Sequence, residues 1–343
     1  MADNKKRQTG LDLLKCICAF LVVCIHVPFN FKGGEYFLLL TRIAVPSFFM
    51  ISGFFYDFIV QHKKEFHQIK KVFILVVSTG ILYFIWNIIL NLINGNSISH
   101  FLKSTFTIDN LFRYLFFNRA IVGGHLWYLA ALLYTLIIVA LFRKLGALKL
   151  LYILSPLLIA ADIIFGTYAN VIFGRTFWYF YFRNYLFVGI PYFILGHLIN
   201  IYRERIKAFF GSRSPIPFLC ISSVVFCGVS FVEYYLLNKA RLDGSRENYI
   251  GTVFFTLSVF LIFAVFYNNT GSRAESFFSY IGQIQSSSIY IYHPIVIKLC
   301  ALLFTHIGLF SIYSAVAPII VFAVTSTAIF IVSLISYKTI IKT

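Results

Sequence analysis

The chain has 343 residues, of which 60% are hydrophobic and only 12% are charged, and its formal net charge is +17. A soluble domain is about half apolar and about a quarter charged, so this composition excludes a soluble protein and indicates a polytopic membrane protein. The lysines and arginines lie mostly in short segments between hydrophobic stretches, and basic runs interleaved with aromatic residues are absent. Membrane topology accounts for such a distribution, and we expect no nucleic-acid partner.

Ten hydrophobic stretches approach or exceed the ~20 residues that a helix needs to cross a bilayer. We predict an all-α, polytopic transmembrane bundle that forms one domain over residues 1–343. The predicted spans are 11–29, 37–60, 72–93, 126–142, 147–165, 184–201, 216–237, 250–267, 284–305 and 313–337. The first is not expected to be a cleavable signal peptide, because Asp12 and Lys15 interrupt it and no small-residue cleavage site follows.

Lysine and arginine are divided unequally between the alternating connecting segments. The segments on the side of the two chain termini carry 17 of these residues, and those on the other side carry 9. Because cytoplasmic segments are enriched in Lys and Arg, both termini are predicted to be cytoplasmic in a multi-pass protein of the cell membrane. The long segment 94–125 then lies outside, where it either caps a cavity or only connects two spans.

The first span carries three polar side chains, Asp12, Lys15 and His26. Lys15 and His26 are eleven residues apart, which places them about 20° apart on one helical face and about 16 Å apart along the axis. Ionisable residues in a membrane helix are costly and mark functional sites by default. Asp12 lies one turn before Lys15, at a spacing that permits an ion pair. We interpret the three as a polar stripe facing the bundle interior.

Two roles are open for His26. An imidazole that titrates near neutral pH is suited to act as a general base on a hydroxyl group. The alternative is an interfacial histidine that only forms a hydrogen bond to a neighbouring helix. The lysine three turns away favours the catalytic role.

Two further cationic features follow. Arg42, at the start of the second span, either stabilises an oxyanion or holds a phosphate, or it extends to the outer interface. Ser52 and Gly53 in the same span permit close helix approach. Lys70 and Lys71 precede the third span, where they either mark the cytoplasmic boundary or bind the phosphates of a nucleotide thioester.

The fourth span begins with GGHLWY, residues 123–128. His125 is predicted on the outer side, at the same level as His26, and the two histidines form a candidate site. Alternatively, His125 caps the helix, and Trp127 and Tyr128 belong to an interfacial aromatic belt.

The ninth span contains SSSIYIYHP, residues 286–294. His293 precedes Pro294, and a proline frees a backbone carbonyl one turn earlier. His293 therefore either fills the kink or faces the same cavity as His26, and Tyr292 is a further candidate. The sequence contains no phosphate-binding glycine loop, nucleophile elbow or metal-ligand spacing, so we expect no metal.

Four segments together resemble the motifs of acyltransferase family 3, whose members are integral membrane O-acyltransferases with ten or so spans. LDLLKCICAFLVVCIH resembles the family's Arg-x10-His signature, with Lys15 in place of the arginine. RIAVPSFFMISGFF, HLWYLAALL and SSSIYIYHP resemble the later motifs, in order along the whole chain. The chain is also similar to the membrane domain of vancomycin-resistance membrane-bound serine racemases.

The resemblance implies transfer of an acyl group, usually acetyl from acetyl-CoA, onto a hydroxyl of an extracytoplasmic envelope glycan, a lipid-linked sugar or a small molecule. Antibiotic resistance is one context in which this chemistry is expected. His26 would be the catalytic base or a transient acyl acceptor, and Lys15 would position the donor. The family's cytoplasmic donor-binding motif has no literal match, and Lys70 and Lys71 are the nearest equivalents.

We therefore predict an acyl-CoA-dependent O-acyltransferase in which Arg42 and His125 assist His26. The expected partners are the lipid bilayer, acyl-CoA and the extracytoplasmic hydroxyl acceptor, and a homodimer is left open. The alternative is the membrane domain of a serine racemase system or a transporter of L-serine or a similar small solute, which needs a polar tunnel but no acyl donor.

Overall fold

The computed structural model describes residues 8–211, 214–242 and 248–341, with side chains described up to residue 335. Over these residues the ordered elements are helices, and no strand occurs among them. The predicted all-α, polytopic membrane architecture is confirmed. The orientation of the termini stays a prediction.

Seventeen α-helices are found in the described part of the chain. They are α1 Thr9–His26, α2 Gly34–Thr41, α3 Ala44–Phe54, α4 Tyr56–Gln61, α5 Glu65–Ile93, α6 Ile98–Thr105, α7 Ile108–Phe117, α8 Trp127–Lys144, α9 Leu148–Asp162, α10 Ala169–Phe173, α11 Ile190–Ile201, α12 Arg203–Phe210, α13 Ile216–Lys239, α14 Ile250–Leu261, α15 Arg273–Tyr280, α16 Ser286–His306 and α17 Phe310–Ile341.

Single π-helical or 3₁₀ turns adjoin several of these α-helices. Wide π-helical turns cover Ile163–Thr167, Tyr185–Gly189, Ile262–Phe266 and Ile281–Gln285, and tight 3₁₀ turns cover Gly124–Leu126 and Tyr179–Tyr181. The turn Ile281–Gln285 joins α15 to α16, so that Arg273–His306 is one long apolar segment. Single π-turns inside helices are frequent at functional sites.

Eight segments within the described ranges are long and apolar enough to cross a membrane. They are Thr9–His26, Gly34–Gln61, Glu65–Ile93, Gly124–Lys144, Leu148–Thr167, Ile216–Lys239, Arg273–His306 and Phe310–Ile335. A bent helix pair, Tyr185–Ile201 with Arg203–Phe210, makes a ninth if it counts as one span, and Ile250–Phe266 is apolar but shorter. Each of the ten predicted spans overlaps one of these segments, while their number stays a prediction.

The chain divides into two compact units. The first unit contains Met1–Phe48, Arg205–Glu233 and Ile250–Thr343, and the second contains Phe49–Glu204 and Tyr234–Tyr249. The single domain predicted over residues 1–343 stays a prediction. In the first unit, α1 packs against α15, α16 and α17, and this packing positions its polar side chains.

Glycines bring α3 and α11 into backbone contact within the second unit. A Cβ atom on Gly53 in α3 would lie 1.8 Å from the carbonyl oxygen of Phe193, and one on Gly196 in α11 would lie 1.9 Å from that of Met50. A side chain at either position would clash with the facing backbone. The close helix approach expected at Gly53 is thus confirmed, and it takes place against α11.

Candidate functional site

A partly buried ion pair lies at the first end of α1. Lys15 Nζ lies 3.0 Å from Asp12 Oδ1, and the side chains are 23% and 8% exposed, respectively. The pair predicted from the i, i+3 spacing is therefore present. A carboxylate buried this deeply would be strongly destabilising without a partner, so the lysine has a structural task besides any role in binding.

Close backbone contacts fix this part of α1 in the first unit. A Cβ atom on Gly282, in the π-turn between α15 and α16, would lie 1.7 Å from the carbonyl oxygen of Asp12. A Cβ atom on Gly10 would lie 2.1 Å from the carbonyl oxygen of Phe263, in the π-turn after α14. The helix that carries Asp12 and Lys15 is thus set against two π-turns.

The face of α1 between Lys15 and His26 is apolar and packed. Ala19 and Val22, which share this face by helical periodicity, are 0% and 2% exposed. Ala19 belongs to an apolar cluster that includes Ile289 of α16 and Ala317 of α17. The predicted polar stripe therefore consists of two polar ends separated by apolar packing.

His26 lies at the other end of α1 and faces a second histidine. Its side chain is exposed, and its ring centroid lies 5.0 Å from that of His293 in α16, with 43° between the ring planes. His293 is 0% exposed. The structure therefore brings together an accessible imidazole and a buried one from distant parts of the sequence.

A backbone contact assigns the tautomer of His293. Its Nδ1 lies 2.9 Å from the carbonyl oxygen of Ile289, one turn earlier in α16. A carbonyl oxygen only accepts hydrogen bonds, so Nδ1 carries the hydrogen and Nε2 is the acceptor nitrogen of the neutral ring. His293 is thus bound to the backbone of its own helix and faces His26, while a cavity shared by the two histidines stays a prediction.

His125 occupies a separate aromatic setting in the second unit. It lies in the 3₁₀ turn Gly124–Leu126, is 5% exposed, and its ring centroid is 4.6 Å from that of Tyr83 at 70°. Gly123 before it has φ +70°, a conformation that favours glycine. The cooperation of His125 with His26 stays a prediction.

The other candidates from the sequence differ in exposure. Arg42 lies at the junction of α2 and α3 and is half-buried, whereas Lys70 and Lys71 are exposed on α5. Tyr128 is buried, with its ring 4.8 Å from that of Phe49. Tyr292 is 44% exposed, beside the buried His293. Their predicted roles are not decided by these positions.

The sequence did not predict a polar cluster that surrounds the buried His197 in the second unit. The Nε2 atom of His197 in α11 lies 3.0 Å from the hydroxyl of Tyr152 in α9, and its Nδ1 lies 3.6 Å from Asp57 Oδ1 in α4. Asn200 Nδ2 donates to the other Asp57 oxygen at 3.3 Å. No local spacing signals this cluster, because its members come from three separate helices.

Comparisons with known proteins agree with the motif pattern. Residues 8–338 match the family model described as an acyltransferase domain. The chain is similar to two proteins of Enterococcus faecalis, each named amino-acid racemase and each 29% identical to it. One alignment covers 152 residues, 41% of this chain and 20% of the racemase, and the other covers 229 residues, 60% of this chain and 30% of the racemase. No solved structure matches the chain.

The chain therefore spans less than a third of the length of these racemase relatives.

Proposed function

The chain belongs to the acyltransferase domain family and is a membrane acyltransferase, and from that premise we propose its donor, acceptor and catalytic base. The donor is acetyl-CoA, which approaches from the cytoplasmic side. The acceptor is a hydroxyl group of an extracytoplasmic envelope glycan, a lipid-linked sugar or a small molecule. His26 is the base, and the enzyme acts in the cell membrane.

The 5.0 Å approach of the His26 and His293 rings is the observation that carries this proposal. A catalytic base needs a group that orients it and access to the substrate. His26 is exposed at the end of α1, and His293 is buried with its Nδ1 bound to Ile289. The buried ring of His293, 5.0 Å from that of His26, is proposed to orient His26, as the third member of a catalytic triad orients its histidine.

The proposed step conserves atoms and charge. His26 removes the proton from the acceptor hydroxyl, whose oxygen attacks the thioester carbonyl carbon. The C–O bond forms, the C–S bond breaks, and the imidazolium of His26 returns the proton to the CoA thiolate. The products are an O-acetyl ester and CoA, and no redox partner is required.

Lys15 is proposed to contact the donor, and the exposed lysines of α5 are proposed, in their own unit, to bind phosphates. Lys15 and His26 lie about 16 Å apart along α1 from helix geometry, and because apolar packing covers the face between them, a donor that contacts Lys15 has to reach His26 along another side of the helix. Lys15 would contact the polar part of the pantetheine arm of CoA while it remains paired with Asp12. Lys70 and Lys71 are exposed on α5, where ammonium groups can bind the phosphates of CoA.

Acetyl transfer in membrane vesicles tests the catalytic assignment. We would supply radiolabelled acetyl-CoA and measure both labelled ester and released CoA thiol. His26→Ala is expected to lower the rate by about 10²- to 10⁴-fold, the usual contribution of a positioned acid or base. His306→Ala is the matched control, because His306 is an exposed histidine on α16 and should leave the rate unchanged. Full activity of His26→Ala at wild-type expression would show that His26 is not the base.

A second candidate function comes from the relatives named amino-acid racemase. Since racemases act on amino acids, we propose as the alternative a role in handling an amino acid, tested here as transport of L-serine. Uptake of radiolabelled L-serine by the same vesicles separates the two functions. Uptake without release of CoA thiol would favour transport, and release of CoA thiol without uptake would favour the acyltransferase.

A further inference from the structure

A small cavity in the second unit has two cations in its wall. Its volume is about 210 Å³. The lining residues are Arg119, Ala120, Gly124, Trp127, Tyr179, Phe180 and Arg183. Two of them are arginines, three are aromatic, and none is acidic. The cavity therefore combines positive charge with flat apolar walls.

The guanidinium groups of both arginines lie over the faces of aromatic rings. The guanidinium carbon of Arg183 lies 4.8 Å from the ring centroid of Trp127 and 6.0 Å from that of Tyr179. That of Arg119 lies 5.5 Å from the ring centroid of Phe180. A guanidinium stacked on a ring keeps all its N–H donors in its own plane, where they match the oxygens of a phosphate or carboxylate. Both side chains are therefore suited to bind an oxyanion.

Two buried asparagines fix the backbone next to these arginines. Asn118 precedes Arg119, has φ +56°, and accepts from the Tyr185 N–H through Oδ1 at 3.2 Å. Asn184 follows Arg183 and accepts from the Leu186 N–H at 2.9 Å, while its Nδ2 donates to the Tyr181 carbonyl at 2.8 Å. The segments that carry the two arginines are thus tied together before any ligand binds, which lowers the ordering cost of binding.

The volume of the cavity and the charge of its two arginines together indicate which ligand fits. Pockets for drug-sized molecules have volumes of about 300–1,000 Å³, so a cavity of about 210 Å³ accommodates only a small group. Two guanidinium groups match the charge of a dianion, and a phosphomonoester offers three oxygens to their donors. We propose that this cavity binds the phosphomonoester group of a small phosphorylated hydroxyl compound, either water-soluble or forming the headgroup of a lipid. This binding is separate from acyl transfer and does not require it.

Calorimetric titration of the full chain in a non-ionic maltoside detergent tests the proposal. The probes are glycerol phosphate, short-chain phosphatidic acid and uncharged glycerol. We expect saturable binding of at least one phosphate probe and none of glycerol. Arg119→Gln and Arg183→Gln should each weaken it at least about tenfold, equivalent to about 1.4 kcal/mol. Binding of glycerol phosphate supports a water-soluble ligand, and binding of phosphatidic acid alone supports a lipid headgroup.

Arg175→Gln is the matched control. Arg175 is exposed and also stacks on an aromatic ring, with 4.9 Å to the Phe177 centroid, but it does not line the cavity. Its substitution should leave affinity unchanged. Arg183→Lys keeps the positive charge but loses the planar donors, so it should bind the phosphate probe with intermediate affinity. This variant keeps the proposal testable if Arg183→Gln does not fold. Absence of saturable binding of both phosphate probes, or equal weakening by Arg175→Gln, would overturn the proposal.

Discussion

The imidazole rings of His26 and His293 lie 5.0 Å apart, although one ends the first helix of the chain and the other lies within α16. One ring is exposed, and the other is 0% exposed and bound to a backbone carbonyl. This difference in exposure and hydrogen bonding suits the two imidazoles to different roles. The accessible imidazole is suited to exchange a proton with a substrate, and the buried one is suited to hold its neighbour in position.

Removal of the nitrogens of His293 should lower turnover more than donor binding. His293→Phe keeps a ring of similar size in the buried site but cannot accept a hydrogen bond from His26. We expect kcat for acetyl transfer to fall by about 10- to 100-fold, a loss comparable to that of an orienting partner, and the KM for acetyl-CoA to change less than twofold. Steady-state kinetics over a range of pH provides the measurement.

A purely structural role for His293 predicts a different result. His293→Phe would then lower the melting temperature and the amount of folded enzyme, while the pH dependence of the remaining activity stayed that of the wild type. Loss of kcat at an unchanged melting temperature, together with an altered pH profile, distinguishes the positioning role. His306→Gln on the same helix serves as the control for the substitution of a histidine.

A side chain at Gly282 should displace α1. Its Cβ atom would lie 1.7 Å from the carbonyl oxygen of Asp12, and the obstacle is backbone that cannot rotate away. We expect Gly282→Ala to destabilise the protein by about 1–3 kcal/mol, the range found for overpacking. The melting temperature in detergent is the measurement. A melting temperature of Gly282→Ala equal to that of the wild type would contradict the close contact.

Gly228→Ala in α13 is the control for this glycine substitution. No atom lies within 4 Å of its added Cβ, and alanine is favoured over glycine inside a helix by about 1 kcal/mol. The control should therefore leave the melting temperature unchanged or raise it. Opposite signs at the two positions would separate steric displacement from helix propensity.

Loss of the Lys15 charge should destabilise the fold through Asp12. Lys15→Met removes an ammonium group that lies 3.0 Å from a carboxylate only 8% exposed. Breaking a buried pair costs up to about 3–5 kcal/mol, and the partial exposure of Lys15 places the expected loss below that range. The double variant Asp12→Asn with Lys15→Met should recover part of the lost stability, because no buried charge remains. Equal melting temperatures for the single and double variants would show that the pair is not coupled.

Substitution of the lysine pair on α5 should weaken donor binding without slowing turnover. Lys70→Gln with Lys71→Gln removes two exposed ammonium groups that we propose contact the CoA phosphates. We expect the KM for acetyl-CoA to rise by about tenfold, as for the loss of charge-assisted hydrogen bonds, at unchanged kcat. Lys149→Gln, at another exposed lysine, should leave the KM unchanged. The same KM in the double variant and the wild type would exclude these lysines from the donor site.

The features that the sequence predicted correctly are local ones. A membrane helix is recognised from about 20 consecutive apolar residues, and all ten predicted spans overlap helical segments of the structure. The ion pair between Asp12 and Lys15 follows from a spacing of three residues on one helix. Such features depend on neighbours along the chain, so the helical period is sufficient to predict them.

Contacts between segments that are distant in the sequence were not predicted from the sequence pattern. His197, Tyr152 and Asp57 come from three helices, and no spacing links them. The same is true of Arg119 and Arg183, which form one cavity wall through aromatic stacking and two buried asparagines. These arrangements depend on how helices pack, and hydropathy does not encode a packing partner.

By itself, the sequence determined an all-helical membrane protein with an ion pair and a histidine at opposite ends of its first helix, since hydrophobicity and helical period act locally. Only the tertiary structure decided that His293 faces His26 and that apolar packing separates His26 from Lys15. The reason is close backbone contact. Glycines such as Gly282 set α1 directly against its neighbours, and that packing determines which side chains meet.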